Sequence, residues 1–290
     1  MTPDIDVDAY FERIGYTGSG AVSVETLAAI HFHHPRTIPF ENLNPFLGWP
    51  VRLDPASLQQ KLVREHRGGY CYEHNLLLSH VLRQLGFGVK WLAARVLWNV
   101  PDATVRPRTH MLLVVDIEQR AYVVDVGFGG LTLTAPLRLQ VDAEQRTPHE
   151  PFRLVASGDT FVMQGKVGGT WGSLYAFDLQ EQLLPDYEVV SWYLCHSPGS
   201  HFVTGLIAAR PDRDRRYALR GNQLTVHQMD GATERRLVDT PDELRALLEE
   251  TFLLTLPEAP ELEAALERVV MRGHDQRVSE GTSTYRVLSR

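Results

Sequence analysis

The chain has 290 residues, 43% hydrophobic and 22% charged, with 22 Gly and 17 Pro, which is the composition of a globular protein and excludes disordered and collagen-like classes. Its 29 basic and 36 acidic side chains leave a net charge of −7, which argues against general binding to nucleic acid or an anionic membrane but leaves room for a local basic pocket. No apolar run approaches the ~18 residues of a membrane span, and the acidic opening MTPDIDVDAY lacks the order of a secretory signal. A cytoplasmic protein is expected.

From residue 7 to residue 85 the signals are helical. Asp54-Pro55 reads as an N-cap followed by proline at the first helical position, leading into residues 57–66. After Gly68-Gly69, the apolar positions Leu77, Leu78, Val81, Leu82 and Leu85 form a 3.6-residue stripe over 71–85 that closes at Gly86. Residues 1–86 are expected to form a helical domain. Short β-rich runs follow at 89–96, 110–117, 121–126, 152–156, 161–164 and 171–178, separated by Gly, Pro or charged turns, so 87–188 reads as a β-sheet or barrel domain. Residues 189–290 mix strands at 201–209, 217–220 and 223–228 with two late helices. The first of these, 241–254, opens on the capping box Thr240-Pro-Asp-Glu243; the second is 260–271, and a loosely packed polar tail is expected after Arg272.

Two cysteines, Cys71 and Cys195, are too few for a disulfide framework or a tetrathiolate metal site, so any cysteine chemistry is that of a thiol. Cys71 falls at the first turn of a helix, where free N–H groups and the helix dipole stabilise a thiolate. Gly68-Gly69 before it would allow a sharp turn and close approach of a substrate. A small buried hydrophobe fits that position equally well. In THMLLVVDIEQRAYVVDVGFGG, two β-runs flank a polar turn, and His110 and Asp125 lie equally far from a midpoint between Ile117 and Glu118. Antiparallel pairing would make them cross-strand partners, and a register shift of two would leave them diagonal neighbours. A carboxylate beside a histidine fixes the imidazole tautomer, so Cys71, His110 and Asp125 form a candidate nucleophile, base and orienting group. Chance pairing in a hairpin is the alternative, although an unpaired Asp125 among valines would be costly. Gly127-Phe128-Gly129-Gly130 could present N–H groups to a phosphate or be a plain turn. Arg106 and Arg108 could add positive charge near the site or face solvent, and the H-F-H-H cluster of His31, His33 and His34 lacks the carboxylate or thiolate spacing of a metal site, so no metal is expected.

With these residues in view, the chain resembles the arylamine N-acetyltransferases of the shorter, bacterial type. Arg67-Gly68-Gly69-Tyr70-Cys71-Tyr72-Glu73-His74-Asn75 matches the family's R-G-G-x-C-x-E-x-N signature, and His110 in T-H-M-L-L and Asp125 in V-D-V-G-F-G match the other triad members. Tyr10-Phe11-Glu12-Arg13-Ile14-Gly15-Tyr16 and Ile38-Pro39-Phe40-Glu41-Asn42-Leu43 match as well, and the likeness runs from Tyr10 to Phe202, about two thirds of the chain. The family's N-W-Y-x-S-T-H-P-x-S-x-F segment departs here at Ser191, Cys195, His196 and Ser197, which bears on acyl-donor and acceptor range.

The resemblance implies an α+β fold with an N-terminal helical bundle, a central β-barrel and a C-terminal α/β lid, and a triad arranged as in cysteine proteases. It implies transfer of an acetyl group from acetyl-CoA to an arylamine, arylhydrazine or N-hydroxyarylamine through an acetyl-Cys71 thioester. Phe40, Phe128 and Phe202 are expected as aromatic walls of the acceptor pocket, each equally able to be ordinary core. Gly127, Gly129 and Gly130 are expected at the CoA pyrophosphate and Trp98 at its pantetheine or adenine part. A cysteine hydrolase or amidase, an amide synthase fed by a carrier-bound acyl group, and a non-catalytic scaffold are the rival readings. The oligomeric state stays open.

Overall fold

Residues 108–124 fold as one antiparallel hairpin, and the rest of the molecule is arranged around it. The computed structural model describes residues 5–100 and 104–286, with side chains described through residue 273. Strands β3 (Arg108–Ile117) and β4 (Arg120–Val124) meet at a two-residue turn in which Glu118 and Gln119 both have positive φ, 49° and 62°. That conformation matches the twist of the paired strands. The register sets Leu113 opposite Val124, so the turn is centred one residue later than the sequence midpoint. Asp125, just past β4, is therefore diagonal to His110 rather than directly opposite it.

The uninterrupted apolar run of β3 is explained by burial on both faces. Met111, Leu113 and Val115 pack with the helices, while Leu112 and Val114 turn into a second core with Leu92, Phe152, Leu154, Met163 and Phe177. That second core fills a seven-stranded sheet formed with β2 (Gly88–Val96), β5 (Leu137–Arg138), β6 (Phe152–Ser157), β7 (Thr160–Val167) and β8 (Thr170–Glu181), in the order β5-β4-β3-β2-β8-β7-β6. Register shifts within the β2–β3, β2–β8 and β7–β8 pairs curve it. The chain beyond β5 reaches the far edge, where Gln145 and Phe152 exchange backbone hydrogen bonds of 2.8 and 2.9 Å, so the barrel is nearly closed.

Helices α1 (Val7–Ile14), α2 (Val24–Thr37), α3 (Leu43–Leu47) and α4 (Pro55–Leu58), which runs on as a wide π-helical turn over Gln59–Arg64, precede α5 (Cys71–Gln84). The short strand β1 (Phe40–Glu41) leaves this region and joins the second sheet, pairing Phe40 with Ala209. That sheet runs β1-β9-β10-β11-β12, with β9 (Ile207–Pro211), β10 (Arg215–Arg220), β11 (Gln223–Gln228) and β12 (Thr233–Leu237). Helix α8 (Pro241–Ala246), its π-helical continuation Leu247–Thr251, and α9 (Pro260–Arg286) complete the chain. The side chains of the polar stretch after residue 273 lie outside the described residues.

Four elements differ from the sequence expectation, among them α9, which continues as helix beyond residue 271 to Arg286. Residues 201–209 are not one strand: α7 (His201–Thr204), capped by Ser200 Oγ, precedes β9. Helix α6 (Leu184–His196) escapes the periodicity because two of its inward positions, Ser191 and Cys195, are polar or small, beside Tyr187 and Leu194. Strand β12, Thr-Glu-Arg-Arg-Leu, is an exposed edge whose charges discourage pairing with another chain and conceal the β pattern.

Barrel and second sheet are joined by a buried ion pair. Arg216 on β10 is 1% exposed; its Nε donates to both Glu150 oxygens at 3.0 and 2.8 Å, and its Nη1 to the Thr132 carbonyl at 3.0 Å. Arg216→Met would strand the Glu150 carboxylate and that carbonyl, at an expected cost of about 3–5 kcal/mol, to be read from the urea unfolding midpoint.

Candidate active site

Cys71 is the first residue of α5 and is 4% exposed. The loop before it is held from behind. A Cβ on Gly68 would lie 2.1 Å from the Pro39 carbonyl oxygen, and one on Gly69 would lie 2.7 Å from Glu73 Oε2. These glycines therefore let the backbone pack closely on Pro39 and Glu73, with Glu41 N donating to the Gly69 carbonyl at 2.8 Å. Glu73 accepts from Tyr70 N at 3.1 Å and pairs with Lys61 at 2.7 Å, while Arg67 pairs with Glu41 at 3.0 Å. Burial opposes ionisation of Glu41, but Lys61 and Arg67 outweigh it and hold that carboxyl below its ordinary range. For Glu73 burial prevails over Lys61, and its pKa is raised.

His110 on β3 donates from Nε2 to Asp125 Oδ2 at 2.7 Å, which leaves Nδ1 free to act on the neighbouring Cys71, whose Sγ donates to the Thr109 carbonyl at 3.7 Å. Burial alone would lower the imidazole pKa; the charge of Asp125 and the hydrogen bonds to Asp125 and Cys71 reverse this and lift it to about 10. Asp125 has no exposed surface. Burial would raise its pKa, yet His110, Gly127 N at 2.9 Å and Asn75 Nδ2 at 3.1 Å keep it low. Asn75, one turn past Cys71, also donates to the Met111 carbonyl at 2.8 Å and accepts from Val126 N at 3.2 Å. It had no role in the residue-by-residue reading, although its i+4 spacing from Cys71 placed it on the same helix face. Tyr175, with its ring 4.9 Å from that of His110, was also missed; it sits on a strand far along the chain and faces the Asp125 carboxylate, and burial and that charge keep its phenol protonated.

A cavity of about 1240 Å³ opens on Cys71 and His110. Phe40, Phe128 and Phe202 line it, as do Trp98, Gly127, Gly129 and Gly130. Phe128 meets His110 edge-on with ring centroids 5.2 Å apart, and Phe40 lies 6.2 Å from Phe202. The run of free N–H groups expected from Gly127 to Gly130 is interrupted: Gly127 N is used by Asp125 Oδ1 and Phe128 N by Thr132 Oγ1. Gly127 is required for another reason, since a Cβ there would stand 2.8 Å from Cys71 Cα. Arg106, His201 and Arg220 also line the cavity; burial and the two guanidiniums lower the His201 pKa and keep its ring neutral, so Arg106 and Arg220 supply the positive charge there. Arg108 instead pairs with Asp178 at 2.5 Å.

The H-F-H-H histidines point different ways, with His31 Nε2 donating to the Asp125 carbonyl at 3.2 Å, His33 Nδ1 to the Ile14 carbonyl at 3.1 Å, and His34 bonded to Tyr10 and His74. Among the described residues, no group of three or more His, Cys, Asp or Glu is placed to share a metal ion, and no helix is long and apolar enough to cross a membrane. Of the residues that depart from the family segment, Ser191 and Cys195 face the nucleophile loop, 2.5 and 3.7 Å from the Tyr70 hydroxyl, whereas His196 stacks outside on Trp192.

A thiol, an imidazole and a carboxylate in sequence, opening on a cavity with apolar walls and a positive region, can take up an acyl group on sulfur and pass it on. Comparison with known proteins agrees with that class. The family model described as N-acetyltransferase matches residues 23–261. The arylamine N-acetyltransferase of Mycobacterium tuberculosis is 48% identical over 239 residues, 81% of this chain and 84% of that one, and the Escherichia coli enzyme is 42% identical over 261 residues, 89% and 92%. The structure of Mycobacterium marinum arylamine N-acetyltransferase in complex with CoA superposes with a TM-score of 0.88 at 41% identity, covering 91% of this chain and 99% of that one. The chain belongs to the arylamine N-acetyltransferase family, and its α+β architecture is that family's fold.

The buried histidines give stability a pH signature. Burial lowers the His31 and His74 pKa values from 6.5 to about 4, so the folded chain binds fewer protons than the unfolded one between those values. Stability is then full above pH 6.5 and falls toward pH 4. His110, raised to about 10, contributes fully below 6.5 and loses its contribution as pH rises toward 10. Urea midpoints measured across pH should decline on both sides, and His31→Gln should remove about 3 kcal/mol of the acid-side loss.

Proposed function

We propose that this enzyme transfers the acetyl group of acetyl-CoA to the nitrogen of an arylamine, arylhydrazine or N-hydroxyarylamine by two displacements at Cys71. The observation that carries the reading is the hydrogen bond of 2.7 Å between His110 and a fully buried Asp125, with Cys71 and His110 opening on one cavity. In the first displacement, His110 takes the Cys71 proton, the sulfur attacks the thioester carbonyl, and the bond from the acetyl carbon to the CoA sulfur breaks. CoA leaves as the thiol with the proton that His110 held. In the second, the amine attacks the acetyl-Cys71 carbonyl, the carbon–sulfur bond breaks, and the amine proton returns to the Cys71 sulfur through His110. Asp125 fixes the tautomer and steadies the imidazolium.

Phe40, Phe128 and Phe202 offer the acceptor ring apolar faces and exclude water from the acyl-enzyme. The guanidiniums of Arg106 and Arg220 suit the CoA phosphates, with Trp98, Gly129 and Gly130, which line the same cavity, as further contacts. Gly127 contributes through its close approach to Cys71, its N–H being used by Asp125. The two free thiols and the acyl-CoA substrate fit a reducing cytoplasm.

Mass spectrometry of the intact protein mixed with acetyl-CoA alone should show one acetyl adduct, absent in Cys71→Ala and discharged by an added arylamine. Adduct loss in water as fast as with amine would make the enzyme a hydrolase instead. Asp125→Asn should slow adduct formation by on the order of 10²–10⁴-fold, measured by rapid quench.

A further inference from the structure

Behind the nucleophile helix, three side chains outside the reaction above form one hydrogen-bonded chain. The Tyr10 hydroxyl lies 2.7 Å from His34 Nδ1, His34 Nε2 lies 2.9 Å from His74 Nδ1, and His74 Nε2 lies 3.1 Å from the Pro39 carbonyl oxygen. Tyr10, His34 and His74 have no exposed surface. A carbonyl oxygen only accepts, so His74 carries its proton on Nε2 and accepts at Nδ1. His34 must then donate from Nε2 and accept the Tyr10 hydroxyl at Nδ1. The direction of every bond is fixed from the last acceptor backward, and each ring holds one proton.

The chain ends at the site. Pro39 O, which also accepts from Gly69 N at 3.3 Å, belongs to the peptide that leads into Phe40. The Phe40 ring is parallel to that of His74, with 1° between planes and centroids 6.4 Å apart, and lines the same cavity as Cys71. His74 stands three residues after Cys71 on α5. One imidazole thus touches both the helix that carries the nucleophile and the segment that carries the aromatic wall. The charged and titratable groups acting on the pair are Arg13 and His31 on His34, and Lys61 and Glu41 on His74.

We propose that His34 and His74 are positioning residues for the acceptor: their one-way hydrogen-bond chain holds Phe40 at a set place relative to Cys71 and so governs acceptor KM. The inference rests on the reading of Phe40 as a wall of the acceptor pocket.

The test measures two quantities separately, the rate of acetyl-Cys71 formation from acetyl-CoA alone and the KM for an arylamine. His74→Leu should raise acceptor KM about five- to ten-fold, the worth of one or two buried hydrogen bonds, with the acetylation rate within about two-fold of the parent. His74→Gln, whose amide offers an acceptor and a donor in place of Nδ1 and Nε2, should recover most of that loss. Tyr10→Phe should raise KM about two- to three-fold. An unchanged KM in His74→Leu, or equal losses in acetylation and in acceptor turnover, overturns the proposal. If His74→Leu does not fold, Tyr10→Phe decides alone: a raised KM supports the proposal and an unchanged one overturns it. Phe40→Leu separates the two levels. Should it leave acceptor KM unmoved, the acceptor-wall reading falls and this inference with it; should it shift KM while the His74 and Tyr10 variants do not, only the positioning inference falls.

Discussion

A carboxylate with no exposed surface is tolerated only where its charge and lone pairs are matched, and Asp125 meets that condition with groups from separate parts of the chain. His110 of β3, Asn75 of α5 and Gly127 of the following loop bind its oxygens. His31 of α2 and Thr132 bind its backbone carbonyl. Helices and barrel must therefore dock in one relative position for that charge to be satisfied, and the same docking places Cys71 against His110. Asparagine 75 illustrates the coupling. By bonding the Met111 carbonyl, Val126 N and Asp125 Oδ1 together, it ties the helix bearing the nucleophile to both arms of the hairpin bearing the other two groups.

Ion pairs buried to different degrees pin the site on two further sides. Glu41, Arg67, Lys61 and Glu73 stabilise the loop and first turn beneath Cys71. Arg216 and Glu150 tie the second sheet to the loop that follows Asp125. Each group is held because its charge is met within hydrogen-bonding distance, so removing one partner leaves a stranded charge rather than a lost contact.

The cavity is assembled from segments remote in sequence. Phe40 belongs to a two-residue strand that leaves the helical region and pairs with β9, and Phe202 lies on the short helix α7 just before that strand. Phe128 comes from the barrel side and packs on His110. The aromatic walls are therefore positioned by the joint between the two sheets and the helices, which is also where Asn42 holds residues 202, 205 and 207 through its side chain. Changes such as Ser191 and Cys195 act on this joint through Tyr70, beside the nucleophile, and not from the solvent side.

Sequence alone determined the α+β texture and singled out Cys71, His110 and Asp125 as the candidate nucleophile, base and orienting group. Cys71 follows a helix-start signal, and the near-symmetry of His110 and Asp125 about a polar turn survived a one-residue displacement of that turn because side chains alternate with period two and the diagonal neighbour shares the face. Elements whose inward residues are not plainly apolar stayed hidden, as in α6 with Ser191 and Cys195 and in β12 with its charged edge. Only the tertiary structure decided why Gly68 and Gly127 are glycines, because the atoms that exclude a Cβ belong to Pro39 and Cys71 across space, while Gly69 is crowded by Glu73 one turn on. It alone joined Tyr10, His34 and His74 into one directed chain, and Asn75 to Asp125. Such hydrogen bonds depend on relative placement of elements to within a few tenths of an ångström, and local patterns of residues hold no record of that distance.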